Sequence, residues 1–509
     1  MQRKVGALAR HPRASLFIFG TALFLRLVIA APCLGSLDDV LDHDGNYSGY
    51  SPCYTDDSPR YERLAINLLE TGRYQASALP PFSGGLPSGD PPEVYRTPLY
   101  PAFLAGIYAI TGYQSAWAIV VQILLSSYTA VLVWRLTRTL TGEFEAFAAG
   151  LAIALFPRSA LHSAQIMSET LFVFLITLTF LLLTNFIERP NRNNALLLGI
   201  TMAAGAYTRQ VALYLPLLFL PVWILFLTRR RSEWRAILPH LILLFLAFYG
   251  SIGLWYLRTH RAVGQWYFST LNDFNSAFFL APWILEQREG ITEAQALKEF
   301  SRLLCLDYPE LETYCAEIEA DPEFRWTLVE NVYVNVRAGK VARELMLNEW
   351  RITLKSFVGG GFWSLWAGGG EWRGIVIRAE NYEQLIAAAK EAKTSLYSGR
   401  LLAAISLITD RILPSLPWTF LLLFSWVWLL SLSFYIFSVP GAFRLTRQHP
   451  EITIAMGLLI LFLAIVAGPA GNNRQFVAAY PLLAVLAASM LAGLSENKTG
   501  ERLTPGAAG

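Results

Sequence analysis

Charged side chains stand at the ends of several long apolar runs of the chain, where they could meet an anionic substrate. They are Arg26, Arg158, Glu169, Arg209, Arg258 and Arg474. A guanidinium group forms paired hydrogen bonds with phosphate oxygens, and a carboxylate within reach of a hydroxyl or amine can act as a general base. The set therefore predicts a site that binds a phosphate group and removes a proton from a second substrate.

A second group of acids lies in a polar segment nearer the amino terminus. Asp56 and Asp57 precede Ser58 and Pro59. Asp57 or Ser58 can cap a helix whose first turn accommodates Pro59, so helix capping alone would explain an aspartate here. The sequence leaves both Asp56 and Asp57 as candidates for the general base.

The composition indicates what kind of structure must position these residues. The chain has 509 residues, of which 54% are hydrophobic and only 16% charged, whereas soluble domains carry about 25% charged residues. Ordinary Gly and Pro contents and four Cys exclude collagen-like, disordered and disulfide-scaffold classes. A net charge of +3 with no long basic run excludes nucleic-acid binding. The sequence predicts an all-α polytopic membrane protein.

Ten apolar runs are candidate membrane spans, because a helix needs about 20 apolar residues to cross the hydrocarbon. They lie at about 14–32, 116–134, 144–162, 166–186, 194–208, 211–228, 236–257, 416–439, 452–468 and 475–493. With both termini in the cytoplasm, most basic residues, including Arg229–Arg231, lie inside, as the positive-inside rule requires. Residues 98–112 are apolar but short, and we predict a helix in the outer interface.

This layout divides the chain into parts that differ in composition. The predicted parts are a membrane module at 1–257, which includes an extracytoplasmic catalytic loop at 33–115, a large extracytoplasmic loop at 258–400, three further spans at 401–494, and a cytoplasmic tail at 495–509. The large loop carries amphipathic helix patterns at 292–304 and 323–357. Both loops are therefore expected to hold interface helices.

The cysteines provide a separate test of the layout. Cys33 and Cys53 fall in or at the edge of the first outer loop, and Cys305 and Cys315 fall in the second. An even number of cysteines on one side of the membrane predicts an oxidising compartment and two local disulfides. Four unrelated buried thiols are the alternative interpretation.

Taken in order, the motifs resemble those of the GT-C membrane glycosyltransferases, most closely the bacterial branch related to protein O-mannosyltransferases and the lipid A aminoarabinose transferase. The matching stretches are Asp57 to Tyr74, Arg96 to Pro101, Pro157 to Phe172, Gly205 to Arg209, Trp255 to Arg258 with Gly264, and Arg474 to Leu483. The resemblance covers about residues 14–270 and 470–493, and residues 270–400 match only loosely. The order and spacing of the motifs carry it.

The resemblance implies an inverting hexosyl- or pentosyltransferase. A sugar would move from a polyprenyl-phosphate-linked donor to an acceptor protein, lipid or glycan at the extracytoplasmic face of a bacterial inner membrane. Asp57 is then the acid of the catalytic loop, with Asp56 as its alternative, and Glu169 is the second acid. The donor sugar and the acceptor stay open.

The resemblance also suggests roles for other residues. Candidates for binding the donor phosphate are Arg96, Arg209, Arg258 and Arg474, and candidates for lining the substrate cavity are Tyr61, Tyr100, Arg158 and His162. Some members of the superfamily use a divalent metal ion. Glu93 and His162 are two scattered possible ligands here, which leaves a metal unassigned.

Two other functions fit parts of the pattern. A carrier or flippase for polyprenyl-linked sugars would place charged residues near the membrane midplane on broken helices, and such charges are scarce here. A polysaccharide ligase or polymerase of another membrane fold would also use arginines in outer loops. It would have no need of the segment from Asp57 to Tyr74, so the transferase is the favoured interpretation.

Overall fold

The computed structural model describes residues 12–34, 54–55, 57–75, 92–329, 331–366, 388, 391–392, 395, 401–412, 418–467 and 473–492. These ranges consist of helices, turns and a single isolated β-bridge between Gln75 and Pro92. The predicted all-α class is therefore confirmed for the described part of the chain.

The described residues up to 263 form eleven α-helices. They are α1 (Pro12–Leu34), α2 (Ser58–Thr71), α3 (Leu99–Thr111), α4 (Ser115–Leu140), α5 (Glu143–Ala154), α6 (Pro157–Ser163), α7 (Glu169–Glu188), α8 (Arg192–Thr208), α9 (Leu215–Leu218), α10 (Leu220–Arg229) and α11 (Trp234–Val263). A 3-10 helix, Gln210–Tyr214, joins α8 to α9. A helix satisfies its own backbone polar groups, which is why apolar runs in a bilayer take this form.

Six helical segments in the described ranges are long and apolar enough to cross a membrane. They are Arg13–Leu34, Ser115–Leu140, Glu169–Glu188, Gln210–Arg229, Trp234–Val263 and Ser425–Gln448. The pair α5 and α6 would make a seventh span, bent by 52°. The described residues of each of the ten predicted runs lie mainly on a helix or on consecutive helices, while the number of ten crossings stays a prediction.

The bend between α5 and α6 has a local cause and a specific partner. Pro157 begins α6 and cannot continue the hydrogen bonding of α5, which ends at Ala154. The carbonyl oxygens of Ile153 and Ala154 instead accept hydrogen bonds from Arg26, at 3.4 and 3.0 Å. Arg26 is fully buried and also bonds Ser126 at 2.8 Å. This arginine therefore satisfies the backbone of a broken span.

The short helix predicted at 98–112 is α3. Its 13 residues extend for about 20 Å, too short to cross the hydrocarbon. Tyr100, Leu104 and Tyr108, spaced four apart, are buried against α2 and α4, whereas Ile110 is exposed. Helices α2 and α3 thus form a small apolar core on the end of α4 where that helix begins.

The second outer region has a hydrophobic core of its own. Its helices are α12 (Leu271–Asn275), α13 (Ala281–Glu289), α14 (Glu293–Asp307), α15 (Glu312–Ala320), α16 (Val332–Asn348) and α17 (Trp350–Trp366). The pattern at 292–304 corresponds to α14, which begins with a capping box of Thr292 and Gln295. The pattern at 323–357 is divided between a 3-10 helix (Pro322–Leu328), α16 and the start of α17.

The disulfide predicted in this region is present. Cys305 and Cys315 are bonded to each other and join α14 to α15. Cys33 is also disulfide-bonded, and its predicted partner Cys53 lies outside the described residues. The cysteine pattern was therefore a reliable guide to covalent structure in the second outer region.

The carboxyl-terminal helices return to the membrane core. They are α18 (Leu401–Leu407), α19 (Trp418–Gln448), α20 (Pro450–Ala467) and α21 (Tyr480–Ser489), with a 3-10 helix (Asn473–Ala479) before α21. Helix α21 packs along α19 and also contacts α4, α5 and α7. This packing places residue 474, just ahead of α21, beside the amino-terminal module.

The close packing of α19 on α21 depends on a residue without a side chain. A methyl group at Gly441 of α19 would overlap the carbonyl oxygen of Leu486 in α21. We predict that Gly441→Ala lowers the thermal unfolding midpoint in detergent, since overpacking costs about 1–3 kcal/mol. Gly457→Ala in α20 is the control, because nothing lies within 4 Å of its added Cβ atom. Equal midpoints for the two variants would contradict the predicted close contact.

Candidate active site at the ends of the membrane helices

Asp57 immediately precedes α2, but its carboxylate does not cap that helix. Its Oδ1 atom accepts a hydrogen bond from Arg96 Nη2 at 2.8 Å, and its Oδ2 atom accepts one from Arg474 Nη2 at 2.9 Å. The adjacent Ser58 ties the turn to the rest of the fold by donating to the carbonyl oxygen of Ile166 at 3.0 Å. The Asp57 side chain is thus committed to ion pairs.

Glu169 is the first residue of α7 and forms the second centre of negative charge. Its Oε1 atom lies 2.6 Å from Arg209 Nη1 and 3.0 Å from Arg474 Nε. Its Oε2 atom is buried and has no hydrogen-bond partner within the described ranges. Arg474 therefore bridges the two carboxylates through different nitrogen atoms.

The arginines reach the site from three separate elements. Arg96 lies before α3, with its guanidinium group 4.5 Å from the centre of the Tyr61 ring. Arg209 lies in the turn after α8, where the sequence predicted a phosphate ligand, and its guanidinium group is 5.9 Å from the centre of the Phe172 ring. Arg474 is the second residue of the 3-10 helix before α21. We call Asp57, Arg96, Glu169, Arg209 and Arg474 the charge cluster.

The two carboxylates differ in exposure. The side chain of Asp57 is 32% exposed, whereas that of Glu169 is 1% exposed. Burial disfavours the ionised form of Asp57, but the guanidinium groups of Arg96 and Arg474 outweigh it and hold the pKa of this carboxyl well below its usual range. The charge cluster has three guanidinium groups for two carboxylates, which leaves a positive surplus suited to an anion.

Arg258, the fourth predicted phosphate ligand, has a different set of contacts. It donates to the carbonyl oxygens of Glu93 at 2.6 Å and Tyr74 at 2.7 Å. Its guanidinium group lies 4.8 Å from the centre of the Trp255 ring. Arg258 thus joins the two chain segments that meet at the bridge between residues 75 and 92, and its role at a phosphate stays a prediction.

The four predicted cavity residues also differ in whether they lie beside the charge cluster. Tyr61 adjoins the charge cluster through Arg96 and through Ser168, whose Oγ is 3.4 Å from the tyrosine hydroxyl. Tyr100 lies behind it, fully buried, with its hydroxyl on Gln122 at 2.8 Å.

The other two predicted cavity residues lie deeper in the membrane module. Arg158 is buried and donates to Tyr480 at 3.1 Å. His162 lines a small cavity beside Arg26. These two residues therefore lie in the packed interior around α6.

The side chains that the structure describes offer no support for a metal site. The described ranges contain no group of three or more His, Cys, Asp and Glu residues that could hold an ion. Glu93 accepts a hydrogen bond from the backbone N–H of Arg96 at 2.6 Å, and the carboxylates of Asp57 and Glu169 already face guanidinium groups. The charge cluster fits an anion better than a divalent cation. Asp56, the alternative base, lies outside the described residues.

Comparison with known proteins now adds a family. Residues 95–255, which include Arg96 and Glu169 and end beside Arg258, match the family described as dolichyl-phosphate-mannose-protein mannosyltransferase. The predicted resemblance is therefore confirmed over these residues, and the apolar helices are those of an integral membrane protein.

Solved structures with similarity to the chain include the following two. ArnT from Cupriavidus metallidurans bound to undecaprenyl phosphate shares 14% identity at a TM-score of 0.38, with 96% of this chain and 81% of that chain covered. Archaeal oligosaccharyltransferase AglB from Archaeoglobus fulgidus, with an inhibitory peptide and a dolichol-phosphate, shares 11% identity at a TM-score of 0.42. The match covers 97% of this chain and 52% of AglB. No curated protein sequence matches significantly.

Sequence reasoning missed a buried acid of α2. Glu62 is completely buried, although carboxylates are almost never fully buried without partners. The available signal was its position one residue after Tyr61, inside a helix already assigned to the site. An acid in a short amphipathic helix is ordinarily interpreted as solvent-exposed, and only the packing of α2 against α3 and α4 shows otherwise.

The ion pairs of Asp57 lead to a prediction about its protonation. Asp57 should stay ionised in the folded protein below the pH at which an aspartate of the unfolded chain protonates, about 3.9. The pairs then stabilise the fold above that pH, and the gain is lost as the pH falls toward the lower folded pKa. Because Arg96→Gln removes one cation, we predict a higher pKa for Asp57 in that variant.

Infrared spectroscopy can follow this protonation through the carboxylic-acid stretching band, identified by its absence in Asp57→Asn. Arg302→Gln is the control, since Arg302 pairs with Glu299 and Glu319 on the exposed surface of the outer region. Protonation of Asp57 at the same pH in wild type and Arg96→Gln would show that Arg96 does not set this pKa.

Proposed function

We propose that the protein transfers a sugar, with inversion, from a polyprenyl-phosphate-linked donor to a hydroxyl or amine of an acceptor. The observation that carries the proposal is the charge cluster, in which Arg474 bridges Asp57 and Glu169 while Arg96 and Arg209 complete the surplus of positive charge. Sugar transfer from such a donor leaves a lipid phosphate, whose developing charge is stabilised by fixed guanidinium groups.

The two carboxylates receive different roles in this proposal. Asp57 is the general base, because it is the more exposed carboxylate and can reach an acceptor. Glu169 is enclosed and orients Arg209 and Arg474 for the donor phosphate. A buried carboxylate that fixes two arginines keeps them in one geometry, which is the preorganisation that stabilises a transition state.

Donor binding would also raise the basicity of Asp57. In the structure, the Asp57 carboxylate is ion-paired with Arg96 and Arg474. These ion pairs lower its pKa and make it a weak base. A phosphate that enters the cluster competes for the same guanidinium groups. Asp57 then loses part of its stabilisation, its pKa rises, and it becomes able to accept the proton of the acceptor. The proposal thus couples occupation of the donor site to activation of the base.

We place this site at the extracytoplasmic face of a bacterial inner membrane, with both termini in the cytoplasm. The supporting observation is the distribution of basic residues between the predicted loops. The bond between Cys305 and Cys315 supports the same orientation, since disulfides persist in oxidising compartments.

We further propose that the region between residues 258 and 400 selects the acceptor. Its core packs directly against the segment that carries Arg96. The Tyr95 ring lies 5.7 Å from that of Phe274, and Ser269 Oγ donates to the carbonyl oxygen of Tyr95 at 2.6 Å. A substrate bound to the outer region would therefore lie next to the charge cluster.

The decisive experiment measures the release of polyprenyl phosphate from a panel of labelled polyprenyl-phosphate hexoses and pentoses by purified protein. We predict that Asp57→Asn lowers turnover by about 10²–10⁴-fold, the usual contribution of a general base, while donor binding is retained. Asp307→Asn, at an exposed carboxylate of the outer region, should turn over like wild type. The donors accepted would also decide between hexosyl and pentosyl transfer.

Two results would contradict the proposal. Equal release by wild type and Asp57→Asn would remove Asp57 from the reaction. Saturable donor binding by both proteins, with no release from any donor, would instead favour a carrier of lipid-linked sugars.

A further inference from the structure

Helix α2 contains an acid that faces away from the charge cluster. Glu62 is completely buried. Its Oε1 atom accepts hydrogen bonds from the hydroxyl groups of Tyr108 and Ser115, each at 2.5 Å, and its Oε2 atom accepts one from Tyr54 at 2.8 Å. The Tyr54 and Ser115 hydroxyl oxygens are 2.6 Å apart. We call Glu62, Tyr54, Tyr108 and Ser115 the hydroxyl cluster.

The hydroxyl cluster joins separate elements around Asp57. Tyr54 precedes α2, Tyr108 belongs to α3, and Ser115 is the first residue of α4, a candidate membrane span. The bond between Tyr54 and Glu62 closes the short segment that contains Asp57. The turn before α2 is thereby anchored to the end of a membrane helix.

Burial of the Glu62 carboxylate costs free energy, because the charge loses its hydration. An apolar side chain in the same space would not carry this cost. Three directional hydrogen bonds, however, fix both the rotation of α2 about its axis and its position along that axis. Apolar contacts tolerate small shifts that such bonds do not. Tyr61, the neighbour of Glu62, meets the Arg96 guanidinium group, so a rotation of α2 would disturb the charge cluster directly.

We propose that Glu62 is a positioning residue for Asp57. Through the hydroxyl cluster it holds α2 in the one orientation in which the Asp57 carboxylate meets both Arg96 and Arg474. The inference rests on the proposed function for its catalytic consequence, but its structural consequence can be measured separately.

The first test separates turnover from binding. Glu62→Gln keeps the shape of the side chain but replaces one accepting oxygen with an NH₂ donor. We expect kcat to fall by about 10–100-fold, because a displaced catalytic group lowers the rate by this order of magnitude. KM for the donor should stay within about twofold of wild type. Glu70→Gln is the matched control. Glu70 lies in the same helix and accepts a hydrogen bond from Tyr113, but on the exposed surface.

The second test does not depend on activity. In a double-mutant cycle of Glu62→Gln and Asp57→Asn, thermal unfolding in detergent should show coupling: Asp57→Asn should lower the midpoint less when Glu62 is already replaced. Additive shifts, or a kcat for Glu62→Gln equal to that of Glu70→Gln, would overturn the inference. If wild type released no lipid phosphate from any donor, the proposed function would fail, and the cycle alone would decide the role of Glu62.

Tyr54→Phe and Tyr108→Phe replace Glu62→Gln in both tests if that variant does not fold. Each removes one hydroxyl group and keeps the ring. We expect a smaller loss of kcat than in Glu62→Gln, again with little change in KM, and coupling to Asp57→Asn of the same sign. Wild-type kcat in both variants, together with additive midpoints, would also overturn the inference.

Discussion

The arrangement of the protein depends on one requirement: charges withdrawn from water must be paired. Arg474 meets this requirement for two carboxylates at once, Asp57 and Glu169, which lie 417 and 305 residues earlier in the chain. Loss of one partner from such a group leaves an uncompensated charge behind. The 3-10 helix before α21 must therefore lie close to both Asp57 and the start of α7, and the packing of α21 on the membrane core supports that arrangement.

A related requirement applies to the backbone inside the bilayer. The break between α5 and α6 interrupts the helical hydrogen bonding, and an unpaired carbonyl group inside a bilayer is costly. Arg26 of α1 donates to the carbonyl oxygen of Ala154 and adds a second donor to that of Ile153, which also accepts from the backbone N–H of Phe156. The bend leads through α6 to Glu169 at the start of α7. Arg26, a buried residue that is not part of the charge cluster, thus helps to shape the site.

The charge cluster and the hydroxyl cluster contact opposite sides of α2. One side presents Asp57 and Tyr61 to the arginines, and the other carries Glu62 toward α3 and α4. Strong polar contacts on both sides leave a short amphipathic helix little freedom to rotate. Such rigidity suits a base that must be kept within hydrogen-bond reach of its substrate.

The sequence alone determined the membrane class and the positions of the apolar helices, because hydrophobic length and basic-residue distribution are properties of nearby residues. Local motifs also named Asp57, with Asp56 as its alternative, and Glu169 as candidate acids. The sequence also identified Arg96, Arg209 and Arg474, which the structure brings together. It did not separate them from Arg258, which has the same residue type at a similar helix end but bonds two carbonyl groups. Nor did it find Glu62. Which partner a charged side chain meets depends on elements hundreds of residues apart, and only tertiary packing decides that.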